Sequence, residues 1–351
     1  MKVLFAGLRW EYGKKEWGPA FEYQNFYQVL ARMPGVESSL FAIDEEVQEF
    51  GRAEANARLL TRVQAEKPDL LFCFLFTDQL LPRTIQKITQ TTKTKTFNWF
   101  ADDHWRFPIY SKLWAPHFTL VSTTDQASLP RYKAAGITGV ILTQWAANQY
   151  VYTPSPGKIF DITFVGKNYG SRGQAVATLQ RLDLPAQGFG GGWPGGRISH
   201  QQMLEVFTGS RVNLNFAESF GWSSREWFRL FAKLFIEKDS HGYHFCGHHL
   251  PANLQSVWGR RSRQIKGRVF EVPACGGFLL TGNAPGLDCY FKPGVEIETF
   301  KTFGELVEKC RYYLHAEPAR KSIAQKGYER VLREHTYEHR FKKIFKALEL
   351  E

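Results

Sequence analysis

Short apolar runs alternate with amphipathic stretches along this chain of 351 residues. "VLFAGL" at residues 3–8 and "LLFCFLF" at residues 70–76 are continuous apolar runs, which are typical of strands buried on both faces of a sheet. Between them, residues 19–33 and 53–67 show helical spacing or strong helix formers. Strands and helices that follow one another in this way predict βαβ units around a parallel sheet.

The same alternation returns in the second half of the chain after an interruption. The segment 145–158, "WAANQYVYTPSPGK", breaks the pattern with proline and glycine and is predicted to be a hinge. Because one hydrophobic core rarely grows to this length, we expect two domains. The predicted N-terminal domain is 1–153, the C-terminal domain is 154–335 with an insertion at about 218–262, and a last amphipathic helix occupies 336–351.

Composition favours a soluble, cytoplasmic protein. Apolar residues make up 43% and aromatic residues 15% of the chain, which is ample for packed cores. The five cysteines contain no CxxC pair and are expected to be reduced thiols. The run of apolar residues after Lys2 is too short for a signal peptide or a bilayer span.

The net charge of +11 indicates anionic partners such as nucleotides, anionic polymers or a phospholipid surface. Many of the excess cations lie near the C-terminus, where a solvated helix face is the ordinary interpretation. Because zinc-finger spacing, RNP-type aromatic motifs and basic-zipper heptads are absent, no nucleic-acid partner is expected.

Two glycine-rich stretches match nucleotide-binding motifs only superficially. "GGGWPG" at 190–195 has the GxGxxG letters, but Pro194 stands where a following helix should begin to donate N–H groups. "GLRWEYGKK" from Gly7 has one residue too many for a P-loop, and Lys15 replaces the required Ser or Thr. Neither stretch is predicted to hold a nucleotide.

A better phosphate site is predicted in "FVGKNYGSRG" at 164–173. A strand ends at Gly166, Lys167 follows, and Arg172 precedes a helix, so that two cations and helix-start N–H groups suit a diphosphate. An ordinary βα turn with solvated cations is an equal alternative. Asn213 and Asn215 lie on one face of the strand "RVNLNF" near its carboxyl end, as ligand-binding or structural amides.

"RQIKGRVFEVPACGGFLLTG" at 263–282 places Glu271 one turn after Arg268 on a predicted helix. Glu271 could accept two hydroxyl hydrogen bonds, as a ribose offers, while Lys266 or Arg268 supplies positive charge toward phosphate. The alternative is an Arg–Glu ion pair on a helix surface, worth about 0.5 kcal/mol.

The insertion contains the motif "HGYHFCGHH" at 241–249. Its potential metal ligands are His241, His244, Cys246, His248 and His249. Zinc accepts such ligands, but the spacing matches no standard site. We therefore predict no metal and an insertion loop near an acceptor.

The motif 263–282, followed by "APGLDCYFKPGVEI", "ELVEKCRYYL" and "REHTYEHR", resembles the C-terminal half of the group 1 (family 4-like) glycosyltransferases, in particular the subfamily typified by the spore maturation protein CgeB. "NWFADDHWRF", "LVSTTDQASLPRYKAAGI" and "TQWAANQYVYTP" resemble the matching N-terminal half. The resemblance covers most of the chain and leaves 218–262 unmatched.

The resemblance implies the α/β GT-B fold, in which two Rossmann-like domains face each other across a cleft and the last helix crosses back to the N-terminal domain. It implies that Glu271 holds the donor ribose. It further implies that Gly276 and Gly277 lie beside the diphosphate, whose positive partners are Lys167, Arg172 and Arg268.

The acceptor side follows from the same resemblance. Asp102, Asp103 and His104 follow a strand of the N-terminal domain and would point into the cleft, where a carboxylate or imidazole can meet an acceptor hydroxyl. Helix capping by either aspartate is the alternative. Cations and helix N-termini, rather than an obligate metal, would stabilise the departing diphosphate. One departure is Arg263, which stands where many family 4 members carry a second glutamate that orients the donor sugar.

The predicted function is transfer of a sugar from a nucleotide-sugar donor to a hydroxyl of a glycan, lipid-linked or protein acceptor (EC 2.4), with retention of configuration and no obligate cofactor. A peripheral contact with an anionic membrane surface is a further expectation. The main alternative is a catalytically silent nucleotide- or glycan-binding protein on the same fold. A weaker alternative, a basic nucleic-acid or membrane-surface module, predicts steep salt dependence and no nucleotide specificity.

Overall fold

A computed structural model describes residues 1–76, 78–155, 159–218, 231–232, 234–239, 242–245 and 249–350. The chain divides into two compact units. Unit one comprises Met1–Gln144, Phe231–Gly259 and Tyr337–Glu351, and unit two comprises Trp145–Leu230 and Arg260–Thr336. The domain bounds predicted from the sequence stay a prediction.

Unit one is built on a parallel sheet. Its strands are β1 (Lys2–Gly7), β2 (Glu37–Ala42), β3 (Leu70–Cys73), β4 (Lys95–Phe100), β5 (Leu120–Thr123) and β6 (Val140–Leu142). In the described residues they pair in the order β2-β1-β3-β4-β5-β6. This order reverses direction next to β1, so the carboxyl ends of the strands there form the edge at which open α/β sheets bind ligands.

The helices of unit one connect these strands. They are α1 (Gln28–Leu30), α2 (Ile43–Glu66), α3 (Pro82–Thr91), α4 (Asp103–Arg106), α5 (Lys112–Trp114) and α6 (Leu129–Ala134). Two π-helical stretches, Tyr23–Tyr27 and Phe107–Ser111, continue into α1 and α5. Pro82 begins α3 because a missing N–H costs nothing in a first helical turn.

Both faces of this sheet are covered, which explains the continuous apolar runs of β1 and β3. Leu4 and Leu71 face a core shared with α2 and α3. On the other face Phe72 lies 6.0 Å from Phe26 and 5.2 Å from Phe341, measured between ring centroids. Phe341 belongs to the last helix of the chain, which therefore packs in unit one.

Unit two contains a second parallel sheet. Its strands are β7 (Phe160–Val165), β8 (Ala186–Phe189), β9 (Ser210–Asn215), β12 (Leu279–Gly282) and β13 (Glu298–Phe300). The intervening strands β10 (Ile236–Asp239) and β11 (Gly242–Phe245) belong to unit one, where they form an antiparallel hairpin. Among the described residues the order is β13-β12-β9-β7-β8. The helices of unit two are α7 (Arg172–Arg181), α8 (His200–Gly209), α10 (Arg268–Ala274), α11 (Phe303–His315) and α12 (Glu317–Glu334). Two later helices, α9 (Leu250–Gly259) and α13 (Tyr337–Ala347), belong to unit one.

Alternate residues of β7 fill two cores in unit two. Phe164 faces the core formed with α7 and α11, whereas Val165 faces the core formed with α8 and α10. The helices that carry Arg172 and Arg268 thus cover opposite faces of one sheet, and both begin near its carboxyl edge. The predicted α/β class with two parallel sheets is confirmed.

The structure differs from the predicted elements at three places. The helix predicted at 53–67 begins ten residues earlier, and Gly51, with φ +78°, kinks it. Strands β8 and β13 were not predicted, because "AQGF" and "ETF" are too short or too polar to show a period. Both are edge strands, where packing rather than sequence pattern decides the conformation.

Candidate functional site

The loop from β7 to α7 packs closely against the glycine-rich stretch that follows β8. The carbonyl of Gly166 accepts a hydrogen bond from Trp193 Nε1 at 2.8 Å, and Gly190, with φ +119°, packs against that same carbonyl. A Cβ on Gly190 would lie 2.7 Å from the Gly166 oxygen, so only glycine fits there. The glycine-rich stretch therefore shapes the end of β7 and leaves Lys167 exposed at its tip.

Arg172, the first residue of α7, is held in a buried position beside this loop. Its guanidinium lies 4.3 Å from the Tyr169 ring centroid and donates to the Lys167 carbonyl at 3.2 Å. Its Nε atom is buried and has no partner among the residues that the structure describes. A buried cation with an unused N–H group is stabilised when an anion accepts a hydrogen bond from it.

Arg268 and Glu271 form the ion pair that their spacing allowed. Glu271 is fully buried, and one carboxylate oxygen accepts from Arg268 Nη1. Arg268 is 29% exposed and also donates from Nε to the Val165 carbonyl at 3.4 Å. The other oxygen of Glu271, Oε1, is buried and finds no partner within the described chain. The pair is thus internal rather than a surface pair, so that removing one partner would leave the other charge without compensation, which costs more than the loss of an exposed i, i+3 contact.

We call Arg172 and Arg268 together the arginine corner. Burial lowers the pKa of Arg172, and the nearby charge of Arg268 adds to that lowering. Two like charges that act on each other in a partly buried place repel, and an anion bound by both would relieve the repulsion. The corner is therefore a candidate anion site on unit two.

The Gly276-Gly277 turn after α10 is fixed by packing. Gly276 has φ +68°, a conformation that favours glycine. A Cβ on Gly277 would lie 2.4 Å from the Phe207 carbonyl oxygen and 3.0 Å from Asn213 Nδ2. The turn thus lets α10 and β12 approach α8 and β9, and its role beside a diphosphate stays a prediction.

Asn213 and Asn215 lie inside the sheet, and a ligand-binding role for either stays a prediction. Asn213 Nδ2 donates to the carbonyls of Phe207 and Phe278 at 3.0 and 3.2 Å, and Asn215 Nδ2 donates to Thr281 Oγ1 at 2.9 Å. Both side chains are buried. Lys266 is half-buried in the turn before α10.

A cavity of about 440 Å³ opens beside the start of α7. It is lined by Ser171, Gln174, Ala175, Thr178, Phe216, Ala217, Glu218, Arg263, Gly282, Phe300, Lys301, Thr302, Phe303 and Leu306. Arg263 forms an ion pair with Glu218 at 2.7 Å at its rim. A larger cavity of about 530 Å³ in unit one lies beside β2, and no predicted site residue lines it.

The predicted acceptor residues in unit one lie at the carboxyl end of β4. Asp103 is fully buried; its Oδ1 accepts from Ser111 Oγ at 2.5 Å and its Oδ2 from Tyr132 Oη at 2.8 Å. Asp102 is half-buried and has φ +61°, a conformation that few residues other than glycine adopt. His104 is buried, and its carbonyl lies against Gly259, whose Cβ would come within 1.9 Å of that oxygen.

These contacts separate the three residues chemically. Both carboxylate oxygens of Asp103 already accept hydrogen bonds from hydroxyl groups of unit one, and the bond from Tyr132 links the start of α4 to α6. Asp102 has the strained backbone and the accessible side chain that are common at functional sites. A catalytic role for Asp102, Asp103 or His104 stays a prediction, and the geometry favours Asp102.

The buried Asp103 carboxyl should leave a signature in stability. Burial raises its pKa to about 6 from an ordinary 3.8, although hydrogen bonds from Ser111, Thr123 and Tyr132 oppose the rise. When the pKa of a carboxyl is higher in the folded than in the unfolded protein, the folded state loses stability as pH rises from the unfolded to the folded pKa. We expect the free energy of unfolding to fall by about 2 kcal/mol more between pH 4 and pH 6 in the wild type than in Asp103→Asn. Urea unfolding at both pH values measures this, and parallel curves would show that Asp103 titrates normally.

Sequence analysis missed His200, the first residue of α8. Its ring contacts Tyr152 edge-on at 5.5 Å, and its Nε2 atom is buried with no partner in the described part of the chain. Burial lowers the pKa of His200, the charge of Glu271 opposes that lowering, and the charge of Arg268 adds to it. Because Glu271 is 71 positions away, no local pattern could reveal this neighbour; only the Ser-x-x-Gln capping box marked the helix start.

The architecture is similar to that of solved GT-B glycosyltransferases. A sucrose-phosphate synthase from Thermosynechococcus elongatus superposes with a TM-score of 0.60 at 11% identity, covering 99% of both chains. Anabaena Alr3699/HepE in complex with UDP-glucose superposes with the same TM-score and identity, also over 99% of both chains. AviGT4, a glycosyltransferase involved in avilamycin A biosynthesis, gives a TM-score of 0.55 at 11% identity over 99% of this chain and 97% of that one. The protein therefore has the GT-B fold, and the fold prediction is confirmed.

The sequence comparison points to the same class. Residues 172–346, just under half of the chain, match the family described as "Glycosyl transferase-like". No curated protein matches the chain. The matched segment begins at Arg172 and contains Arg268, Glu271 and the Gly276-Gly277 turn. The CgeB-like subfamily stays a prediction.

Grouped metal ligands and membrane-spanning helices are both absent from the described residues. Within the described ranges, no three His, Cys, Asp or Glu side chains are grouped as metal ligands would be. Of the potential ligands in the motif at 241–249, His241, Cys246 and His248 lie outside those ranges. No helix in the described part of the chain is both long and apolar enough to cross a bilayer.

Proposed function

We propose that this protein transfers a sugar from a nucleoside-diphosphate sugar to a hydroxyl acceptor, with retention of configuration, and that unit two holds the donor. The arginine corner is the observation that carries the proposal. It places two cations, one with an unused buried N–H, at the start of α7 and α10 on the carboxyl edge of a parallel sheet. Lys167 adds a third, exposed cation at the same edge.

The donor diphosphate would lie against Arg172 and Arg268. Charge-assisted hydrogen bonds from guanidinium groups suit phosphate oxygens, and the N-terminus of α7 contributes its unpaired N–H groups. As the bond to the sugar breaks, negative charge grows on the diphosphate, and the same cations stabilise it. No metal is needed for this arrangement. Glu271 Oε1 is the oxygen that would accept from the ribose hydroxyls.

Solved relatives of the same fold support a nucleotide donor. HepE was solved with UDP and with UDP-glucose. The acceptor would meet Asp102 in unit one, with a glycan, lipid-linked or protein hydroxyl as the substrate. The expected cytoplasmic location belongs to this proposal. So does contact with an anionic membrane surface, which the charge of +11 supports.

The proposal predicts that nucleotide affinity depends on Arg172. Thermal unfolding with UDP, GDP, ADP and CDP should show one nucleotide that raises the melting temperature by several degrees, with or without EDTA. Arg172→Gln should weaken that nucleotide about tenfold, because a charge-assisted hydrogen bond is lost. The matched control is Arg181→Gln, at the other end of α7, where the guanidinium donates to Thr178 Oγ1. Equal loss in both variants would disprove a specific role for Arg172.

A silent nucleotide- or glycan-binding protein is the second candidate. The Arg263–Glu218 ion pair favours it, because at position 263 a donor sugar would meet an arginine paired with Glu218 instead of a free glutamate. Release of nucleoside diphosphate from a nucleotide sugar separates the candidates. An enzyme turns over its donor, at least slowly to water, whereas a silent protein binds the nucleotide and releases none.

A further inference from the structure

The polar cavity beside β2 in unit one belongs to no site described above. Its volume of about 530 Å³ lies in the range of small-molecule sites. β2 is at the edge of its sheet in the described residues, and the cavity is lined by residues of β2, of the first turns of α2 and of the π-helical stretch before α1. We call it the edge cavity.

One wall of the edge cavity is fixed by the loop that leaves β1. Asp44, buried at the start of α2, accepts hydrogen bonds from the backbone N–H groups of Arg9 and Trp10, both at 2.9 Å. Glu45 accepts from Trp10 Nε1 at 2.9 Å and from Arg9 Nη1 at 3.3 Å. Arg9 and Glu45 line the cavity and are 42% and 40% exposed. Because these contacts need no ligand, both charged groups are oriented before anything binds.

Two tyrosines and a serine supply the uncharged part of the lining. Tyr23 and Tyr27 are half-buried, and their ring centroids lie 5.4 Å apart, with the Arg9 guanidinium 5.9 Å from the Tyr23 ring. Ser38 Oγ is buried and has no hydrogen-bond partner in the described part of the chain. Sugars offer both kinds of contact, because their C–H groups pack on aromatic rings and their hydroxyls bond to carboxylate, guanidinium and hydroxyl groups.

The charges of the edge cavity favour an uncharged ligand. Three glutamates and one arginine line it. Glu45 pairs with Arg9, Glu46 pairs with Arg58 at 2.7 Å, and Glu49 is exposed. The excess carboxylate repels an anion, even though the whole chain carries a charge of +11. A cation would meet two carboxylates that arginines already neutralise.

The position of the edge cavity relative to Asp102 sets the size of the ligand. Neighbouring strands lie roughly 4.8 Å apart, and β2 and β4 are three places apart in the sheet order, so their carboxyl ends are separated by roughly 14 Å. Asp102 lies just after β4. An acceptor whose reacting hydroxyl lies at Asp102 therefore reaches the edge cavity only if it is an oligosaccharide.

We propose that the edge cavity binds an uncharged part of an oligosaccharide acceptor, at a distance from the hydroxyl that receives the new sugar. This inference rests on the proposed function and narrows its acceptor from a glycan, lipid-linked or protein hydroxyl to a neutral glycan. Contacts in the cavity would hold the acceptor without taking part in the reaction at its other end.

A glycan array that displays neutral and anionic oligosaccharides of graded length tests this inference, and calorimetry gives the Kd of the best ligand. Wild type should bind neutral oligosaccharides, and longer ones more tightly. Tyr27→Ala should weaken the best ligand about tenfold, because a packing surface is lost. Tyr312→Ala, which removes an exposed tyrosine of α11, is the matched control and should bind as wild type.

Ser38→Ala keeps the test valid if Tyr27→Ala folds poorly. Its hydroxyl has no partner to lose within the described residues, so the variant should be as stable as wild type. Its affinity for the best oligosaccharide should nevertheless fall roughly fivefold, because one hydrogen bond to the ligand is lost. Spermine is the competitor that tests for a cation site, and it should not displace the glycan.

The outcomes separate the inference from the function on which it rests. Absence of neutral-glycan binding, preference for anionic glycans, displacement by spermine, or equal binding by Tyr27→Ala and Tyr312→Ala would overturn the inference. If a nucleotide still binds in that case, the proposed function stands. Neutral-glycan binding that is lost in Tyr27→Ala, together with no response to UDP, GDP, ADP or CDP, would support the edge cavity and overturn the donor site.

Discussion

Replacing Arg268 with methionine is expected to lower the free energy of unfolding of unit two by about 3 kcal/mol. Methionine keeps the aliphatic length of arginine, so the packing over Phe207, 5.4 Å from the guanidinium, is largely retained. What is lost is the cation beside Glu271, a carboxylate with no exposed surface. Urea denaturation of the variant gives the change in free energy.

Arg263→Met is the matched control for that experiment. Arg263 also pairs with a glutamate, but both partners are 42% exposed. An exposed pair of this kind contributes about 0.5 kcal/mol, so its loss should be small. If both variants lost the same stability, water would reach Glu271, and the buried ion pair would not exist in solution.

Replacing Gly277 with alanine should be nearly as damaging, for a steric reason. The added methyl group would lie 2.4 Å from the Phe207 carbonyl oxygen and would press on Asn213 and Val272, each 3.0 Å away. Backbone cannot move aside cheaply, so we expect a loss of about 3 kcal/mol or failure to accumulate as folded protein. Chemical denaturation, or soluble yield where the loss is complete, measures the effect.

Gly276→Ala tests whether the reason is steric. Gly276 has φ +68°, but its Cβ would make only an ordinary contact of 3.5 Å with Pro154. The cost is then limited to the left-handed backbone, about 1 kcal/mol. A larger loss at Gly276 than at Gly277 would show that backbone conformation, and not the approach of α8, determines the glycine pair.

The sequence predicted the parts of this fold that local chemistry determines. The apolar run "LLFCFLF" predicted a strand covered on both faces, and its first four residues form β3. The i, i+3 spacing of Arg268 and Glu271 allowed their ion pair as the alternative to a donor site, although on a helix surface rather than buried. The start of α2 was missed because Gly51 interrupts the helical pattern, although Asp44, Glu45 and Glu46 suit a helix N-terminus.

The site was harder to predict because its residues meet through the fold. Asp103 stands in a motif that indicates catalysis, yet Tyr132, 29 positions later, occupies its carboxylate. His200 follows an ordinary helix cap, and only the tertiary structure brings it against Tyr152. Sequence patterns report what a residue can do, whereas burial and distant partners decide which of those roles remains available.

Hydrogen exchange with and without nucleotide tests the central claim, that unit two binds a nucleoside diphosphate at the arginine corner. The wild-type protein is labelled alone and with UDP, GDP, ADP and CDP together at millimolar concentration. The account predicts slower exchange in residues 166–173, 199–203 and 268–277, because ligand binding stabilises the segments that it contacts. Unchanged exchange in all three segments, or protection confined to unit one, would contradict it.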